Sequence, residues 1–343
     1  MFESIDTVPR RNRKLRVVGL IALVGCGSFA VSIWRVTQMP LRSYRGQLPP
    51  LSAGQSEIAG HLAAHVESLS SAIGVRSVDR PASLKLTADY VRDNLERLGY
   101  KVGERPYTSD DHIVNNLEAE LPGEKNGGGI LVVGAHYDTV TETRGADDNA
   151  SGVAAVLELA RLLKDRKFRR NVRFVFFVNE EPPFFQTEQM GSLVYAKGLR
   201  REGVLVSAMI SLETVGFYSD NPGSQKYPPV LSWFYPSRGN FIGFVANTES
   251  RDLVRNAIRS FRESERFPSE GIAAPATWPG IGWSDQWSFW QEGYPAIMIT
   301  DTAIFRYPYY HRAGDTYEKL DFEKMARVVE GTGFVLSALA NEK

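Results

Sequence analysis

Residues 130–139 read Ile-Leu-Val-Val-Gly-Ala-His-Tyr-Asp-Thr, six uncharged positions that run directly into His136 and Asp138. A short, continuous apolar run predicts a strand buried on both faces. Similar runs stand at Val172–Val178, Ala208–Leu212 and Ala296–Thr300. They alternate with helical spacing at about Ser151–Leu163, Gly191–Leu199, Arg251–Phe261 and Phe322–Leu339. Leu84, Ala88, Val91, Leu95 and Leu98, with Gly99 as a stop, predict a further helix from about Pro81 to Leu98. The fold class that follows is α/β: a single globular domain with a mixed, mostly parallel central sheet flanked by helices on both faces.

In open α/β sheets, ligands bind beyond the carboxyl ends of the strands. In this chain those positions are acidic or imidazole. His136 and Asp138 follow the first run, Asn179, Glu180 and Glu181 the second, and Glu213 the third. Asp148 lies in Gly-Ala-Asp-Asp-Asn-Ala-Ser-Gly at 145–152, just before a helix, and His311 in the late block Tyr-His-Arg-Ala-Gly-Asp-Thr at 310–316. Two imidazoles and three carboxylates can therefore converge. A pair of zinc ions about 3.5–4 Å apart needs a bridging carboxylate, terminal ligands for each ion and a base for the water between them. Asp138, two residues after His136, is placed to orient its imidazole. Glu180 and Glu181 point in different directions, so one can bind metal while the other faces water.

Composition narrows the alternatives. The 343 residues carry 40 basic and 40 acidic side chains, yet eight basic and two acidic ones fall in the first 45, leaving 32 against 38 in the rest. An acidic body is a poor nucleic-acid surface, so no nucleic-acid partner is expected. With a single cysteine, Cys26, the domain has neither a disulfide nor a thiolate site. Arg10, Arg11, Arg13, Lys14 and Arg16 precede an uncharged apolar run from Val17 to Trp34. That run predicts a cytoplasmic basic segment (1–16), one transmembrane anchor (17–34), a Pro-containing tether (35–55) and a folded domain (56–343) that carries the metal-binding blocks. The expected place is a bacterial-type inner membrane, single-pass, with the catalytic domain periplasmic or extracellular. A cleaved signal peptide, or lipidation at Cys26 in Leu-Val-Gly-Cys, is the rival reading.

The blocks at 134–139, 145–152, 179–181 and 310–316, in that order, resemble the zinc aminopeptidases of clan MH, which include bacterial leucyl aminopeptidases, glutamate carboxypeptidase II and glutaminyl cyclase. The similarity spans roughly Leu84 to Leu320. The resemblance implies two Zn²⁺ per chain: Asp148 bridging, His136 and Glu213 completing one site, Glu181 and His311 the other, with Glu180 as general base. It implies a peptide substrate with a free N-terminus. Two positions depart from the family pattern. Glu213 stands where Asp is usual, and in Trp-Ser-Asp-Gln-Trp at 283–287 Gln286 stands where related chains often read Ser-Asp-His, which predicts altered substrate contacts at most. A glutaminyl-cyclase-like acyltransferase would work with one zinc, and a silent binding domain would have lost ligands; the complete set argues for hydrolysis.

His61 and His65 lack the Glu after the first His that a zincin motif needs, so a solvated helical face is expected there. The aromatics from Trp278 to Tyr310 divide between core and the lining of an apolar side-chain pocket.

Overall fold

The computed structural model describes Gly27 and residues 31–124 and 128–342. It forms two units, 1–38 and 39–343. In the first, residues 31–37 are helical. The basic segment 1–16 and most of the expected anchor, 17–34, lie outside the described residues. Among the described residues no helix is long and apolar enough to cross a membrane.

The second unit is built on eight strands: β1 (Val102–Ser109), β2 (His112–Leu121), β3 (Ile130–His136), β4 (Asn171–Phe177), β5 (Val206–Glu213), β6 (Ile242–Ala246), β7 (Ser269–Ala273) and β8 (Ala296–Thr300). Their spatial order is β1-β2-β4-β3-β5-β8-β6-β7. The four central strands, β4, β3, β5 and β8, are mutually parallel, and β6 runs antiparallel to β8. The sheet is therefore mixed, with a parallel centre where the continuous apolar runs lie.

Burial on both faces follows from the strand alternation. Leu131, Val133 and Ala135 of β3 join Phe174 and Phe176 of β4 in the larger core. That core is covered by α1 (Ala53–Val66), α2 (Pro81–Arg97), α3 (Gly152–Leu163), α5 (Arg251–Ser264) and α7 (Phe322–Asn341). Ile130, Val132, Val175 and Phe177 point the other way, against Tyr195 and Leu199 of α4 (Gly191–Arg201) and Phe289 of α6 (Gln286–Gln291). Each fully buried phenylalanine on these faces contributes about 2–3 kcal/mol of transfer free energy.

The segment read as a tether is docked on the domain from Met39 onward. Met39 is buried in the larger core, and Arg262 donates to the carbonyls of Pro40 and Leu41. Ser43 Oγ accepts the Ser269 amide, and Arg327 donates to the Pro49 carbonyl. The first helix also starts before 56, at Ala53. Ser52 caps it by accepting the Gln55 amide, while the Gln55 side chain accepts the Ser52 amide. The expected boundary at 55/56 thus moves toward the N-terminus. The prolines fix an extended path whose carbonyls find arginine partners.

Candidate metal centre

Strand ends deliver His136, Glu180, Glu181 and Glu213, while Asp148 comes from the segment Ala146–Ser151 before α3 and His311 from a late loop. His136 is the last residue of β3 and Glu213 the last of β5. Asn179, Thr214 and His311 have φ of 59°, 47° and 56°. For side chains other than glycine this left-handed backbone costs about 1 kcal/mol or more, and such strain gathers at functional sites. Asn179 turns the chain out of β4 so that Glu180 and Glu181 enter the same space as His136.

The distances are short. His136 Nε2 is 3.3 Å from Asp148 Oδ1 and 3.2 Å from Glu213 Oε2. His311 Nε2 is 3.0 Å from Asp148 Oδ2 and 3.2 Å from Glu181 Oε2. Two groups able to hold a cation result, His136–Asp148–Glu213 and Asp148–Glu181–His311, and they share Asp148. Glu180 also groups with His136 and Glu181, but its oxygen is farther from His136 Nε2, at 3.8 Å. All seven residues singled out in the sequence are therefore brought together.

The donor set fits a pair of divalent ions. His136 Nε2, both Asp148 oxygens, Glu181 Oε1 and His311 Nε2 are buried without a hydrogen-bond partner. Lone pairs of carboxylates and imidazoles crowded together in a buried site are costly to leave unsatisfied, and cations between them would satisfy them. Burial works to lower the His311 pKa, but the Asp148 and Glu181 carboxylates beside it outweigh burial and raise it to about 10. Burial raises Glu181 to about 7 and pushes Glu180 well above the usual carboxylate range. Asp148 resists burial and is lowered, because both imidazoles bond to it.

Around these residues stands a second layer, part of which the sequence did not reveal. The Asp138 carboxylate accepts the Glu180 amide at 3.2 Å with Oδ1 and the Glu181 amide at 3.1 Å with Oδ2. His136 Nδ1 lies 3.2 Å from the Asp138 backbone oxygen but 3.6 Å from its carboxylate. Asp138 therefore aims the glutamate pair with its side chain and meets the imidazole with its backbone. The extra methylene of Glu213 is accommodated by Ser284, whose Oγ donates to Glu213 Oε2 at 2.7 Å. Asp315 holds the Asp148 segment, accepting the amides of Asp147 at 2.8 Å and Asp148 at 3.1 Å. Arg76, fully buried, donates to the carbonyls of Tyr137, Arg144 and Gly145 and so fixes the loop after β3.

Asp315 and Ser284 sit inside blocks quoted from the sequence, at 310–316 and 283–287, which is the signal that could have found them. Arg76 had no such signal. Gln286 is fully buried and donates to the Ile281 carbonyl, so the expected change in substrate contacts gives way to a packing role in α6. His65 is not on a solvated face: its Nδ1 meets the Tyr90 hydroxyl at 2.7 Å, and burial lowers its pKa to about 4.

Residues 116–334 match the pattern of "Peptidase family M28". The chain is 39% identical over 288 residues to the uncharacterized protein YfbL of Escherichia coli (strain K12), covering 81% of this chain and 86% of that one. It is 27% identical over 211 residues to leupeptin-inactivating enzyme 1 of Streptomyces exfoliatus, covering 61% of this chain and 46% of that one, so it spans about half the length of that relative. The fold is shared with the LapA aminopeptidase of Legionella pneumophila, at a TM-score of 0.66 and 20% identity over 84% of this chain and 74% of that chain. It is shared also with the glutaminyl cyclase of Tannerella forsythia, at a TM-score of 0.61 and 23% identity over 83% of this chain and 99% of that chain. Family match and relatives together establish that the chain belongs to peptidase family M28.

Proposed function

We propose that the domain is an aminopeptidase that holds two zinc ions and removes the N-terminal residue of a peptide with a free amine. The observation that carries this reading is the shared Asp148: each of its oxygens faces a different histidine, and each half of the cluster has its own glutamate. His136 and Glu213 would hold one ion, Glu181 and His311 the other, and Asp148 both. Bound there, the zinc ions would supply a water of lowered pKa and Lewis-acid polarisation of the scissile carbonyl.

Glu180 is the general base. Its carboxylate is near the ligands without being drawn as close to His136 as Glu213 is. Asp138 orients it through the backbone amide. Glu180 takes the proton of the attacking water and returns it to the departing amine.

The five basic residues before the uncharged run 17–34 support an N-terminus in the cytoplasm, a single anchor and a domain on the periplasmic or extracellular side.

Paired substitutions test the mechanism. Glu180→Gln should keep its zinc and lose about 10²- to 10⁴-fold in turnover, the usual worth of a general base. Glu181→Gln should lose metal. Ordinary activity in Glu180→Gln, or metal loss equal in both variants, would show the roles to be wrong.

A further inference from the structure

We propose that Glu270 sets the side-chain preference of this site, selecting an N-terminal Lys or Arg whose apolar stem lies in the cleft beside the metal centre and whose cationic tip meets the Glu270 carboxylate. The inference rests on the aminopeptidase reading and adds the class of residue removed.

Strand register draws one line of residues across half the sheet. Glu213 on β5 pairs with Thr300 on β8, Thr300 with Gly243 on β6, and Gly243 with Glu270 on β7. The neighbouring row on the same face is Ser211, Met298, Val245 and Ile272. Thr300, Gly243, Met298, Val245 and Ile272 floor a cleft of about 120 Å³, open to solvent, which touches Glu213 and Tyr310 at one end and Glu270 at the other. The side chain of Phe244 packs on Phe261, and Gly271 abuts Met39 and Ile258. Gly243 carries no side chain, so the floor between Thr300 and Glu270 is backbone flanked by the Thr302 methyl.

The walls are aromatic and apolar, including Tyr227, Leu231, Phe241 and the stacked pair Trp283 and Phe305. Among the described residues that line the cleft, only Glu213 and Glu270 are charged, and both are acidic. Arg262 lies behind Glu270, at 3.9 Å and only 5% exposed. Its donors go elsewhere, to both Ser269 oxygens and to the carbonyls of Pro40 and Leu41. Ser43 hydrogen-bonds the Glu270 carboxylate and Arg45 stands near it, both in an adjoining outer cleft that shares Glu270. One hydroxyl leaves most of the carboxylate's acceptor positions free. Glu270 thus keeps acceptor capacity on the cleft side.

Length decides between candidate side chains. Three strand steps of about 4.8 Å separate the backbones of Glu213 and Glu270 by roughly 14 Å. The reach of Glu270 and the stand-off of the substrate at Glu213 take up about half of that, leaving roughly 7 Å, the length of a Lys or Arg side chain and more than a Leu can span. The stem would pack on Met298, Val245 and Ile272, with the charge at the tip.

The test compares L-lysine and L-norleucine p-nitroanilides, which share an apolar stem and differ in the terminal charge. With the zinc-loaded protein, kcat/KM should favour the lysyl substrate by about 10- to 100-fold, the worth of one charge-assisted hydrogen bond in a partly buried site. Glu270→Gln should erase most of that ratio, and Glu270→Asp, which keeps the charge but withdraws it by one methylene, should give an intermediate ratio. A wild-type ratio at or below one, or a ratio that neither variant changes, overturns the proposal. If the wild-type protein hydrolyses neither compound, the hydrolytic reading fails on its own. Calorimetric binding of L-lysinamide and L-norleucinamide to that same protein then decides: tighter lysinamide binding that depends on Glu270 upholds the preference, and equal or weaker binding overturns it.

Discussion

Asp315→Asn isolates the scaffold of the metal centre from its ligands. Asp315 is fully buried; its Oδ1 accepts the Asp147 amide at 2.8 Å and the Tyr307 hydroxyl at 2.9 Å, and its Oδ2 accepts the Asp148 amide at 3.1 Å. Asparagine has nearly the same shape, but whichever way its amide is turned, the NH₂ group confronts a donor. At least one of the three charge-assisted bonds, worth about 1.5–3 kcal/mol, is lost, and those that survive are weakened to neutral bonds. Removing a carboxylate also relieves its repulsion with Asp148, which contributes to raising the Asp315 pKa to about 6 after burial itself. The net loss of stability should be about 2 kcal/mol. Because the Asp148 backbone amide is one of the three donors that Asp315 holds, zinc affinity should fall by about 10- to 100-fold, the usual effect of removing such a support. Urea unfolding of the metal-free protein reads the first quantity, and competition with a chromogenic chelator reads the second. If stability stays within about 0.5 kcal/mol of the parent and zinc binding is unchanged, Asp315 does not hold Asp148 in place and the reasoning fails.

Other perturbations give separate outcomes. Arg76→Lys should destabilise by about 3 kcal/mol or more in urea, since one ammonium cannot replace a guanidinium that serves the carbonyls of Tyr137, Arg144 and Gly145 at once. His65 is held neutral by burial, with a pKa of about 4 against 6.5 in the unfolded chain, so its contribution is fully present above pH 6.5 and is lost as pH falls toward 4. Allowing for its partial exposure, the stability difference between the parent and His65→Gln should shift by about 2 kcal/mol across that window, and a difference independent of pH would refute it. A reporter fused after Lys343 should be active only outside the cytoplasm; activity inside would reverse the proposed topology.

How much was legible depended on whether a segment's environment was uniform. β3, β4, β5 and β8 were read because both of their faces are covered and their sequences are nearly all apolar. β1 was missed because Val102-Gly-Glu-Arg-Pro-Tyr-Thr-Ser lies at the sheet edge with half its side chains in water, and its burial alternates accordingly. β6 and β7 are five residues each and carry Gly243, Glu270 and Gly271, which dilute the apolar signal. His136, Glu181 and Glu213, three of the residues expected to bind metal, sit at or just after strand ends, where position along the chain already implies position in the fold. The supporting contacts do not have that property. Asp315 grips an amide 168 residues away and Glu213 takes its hydroxyl partner from 71 residues away, and no local pattern encodes such pairings. Asp138 shows the limit most clearly: its spacing from His136 pointed to the imidazole, whereas the register of β3 against β4 delivers its carboxylate to Glu180 and Glu181.

The central claim is that one carboxylate, Asp148, joins two metal ions. Titration of the metal-free protein with Zn²⁺, followed by elemental analysis after gel filtration, tests it most directly. The account predicts close to two equivalents per chain for the parent, about one for Glu181→Gln, and a loss from both sites in Asp148→Ala. A parent that saturates at a single equivalent, or an Asp148→Ala protein that still retains one ion at undiminished affinity, would contradict it.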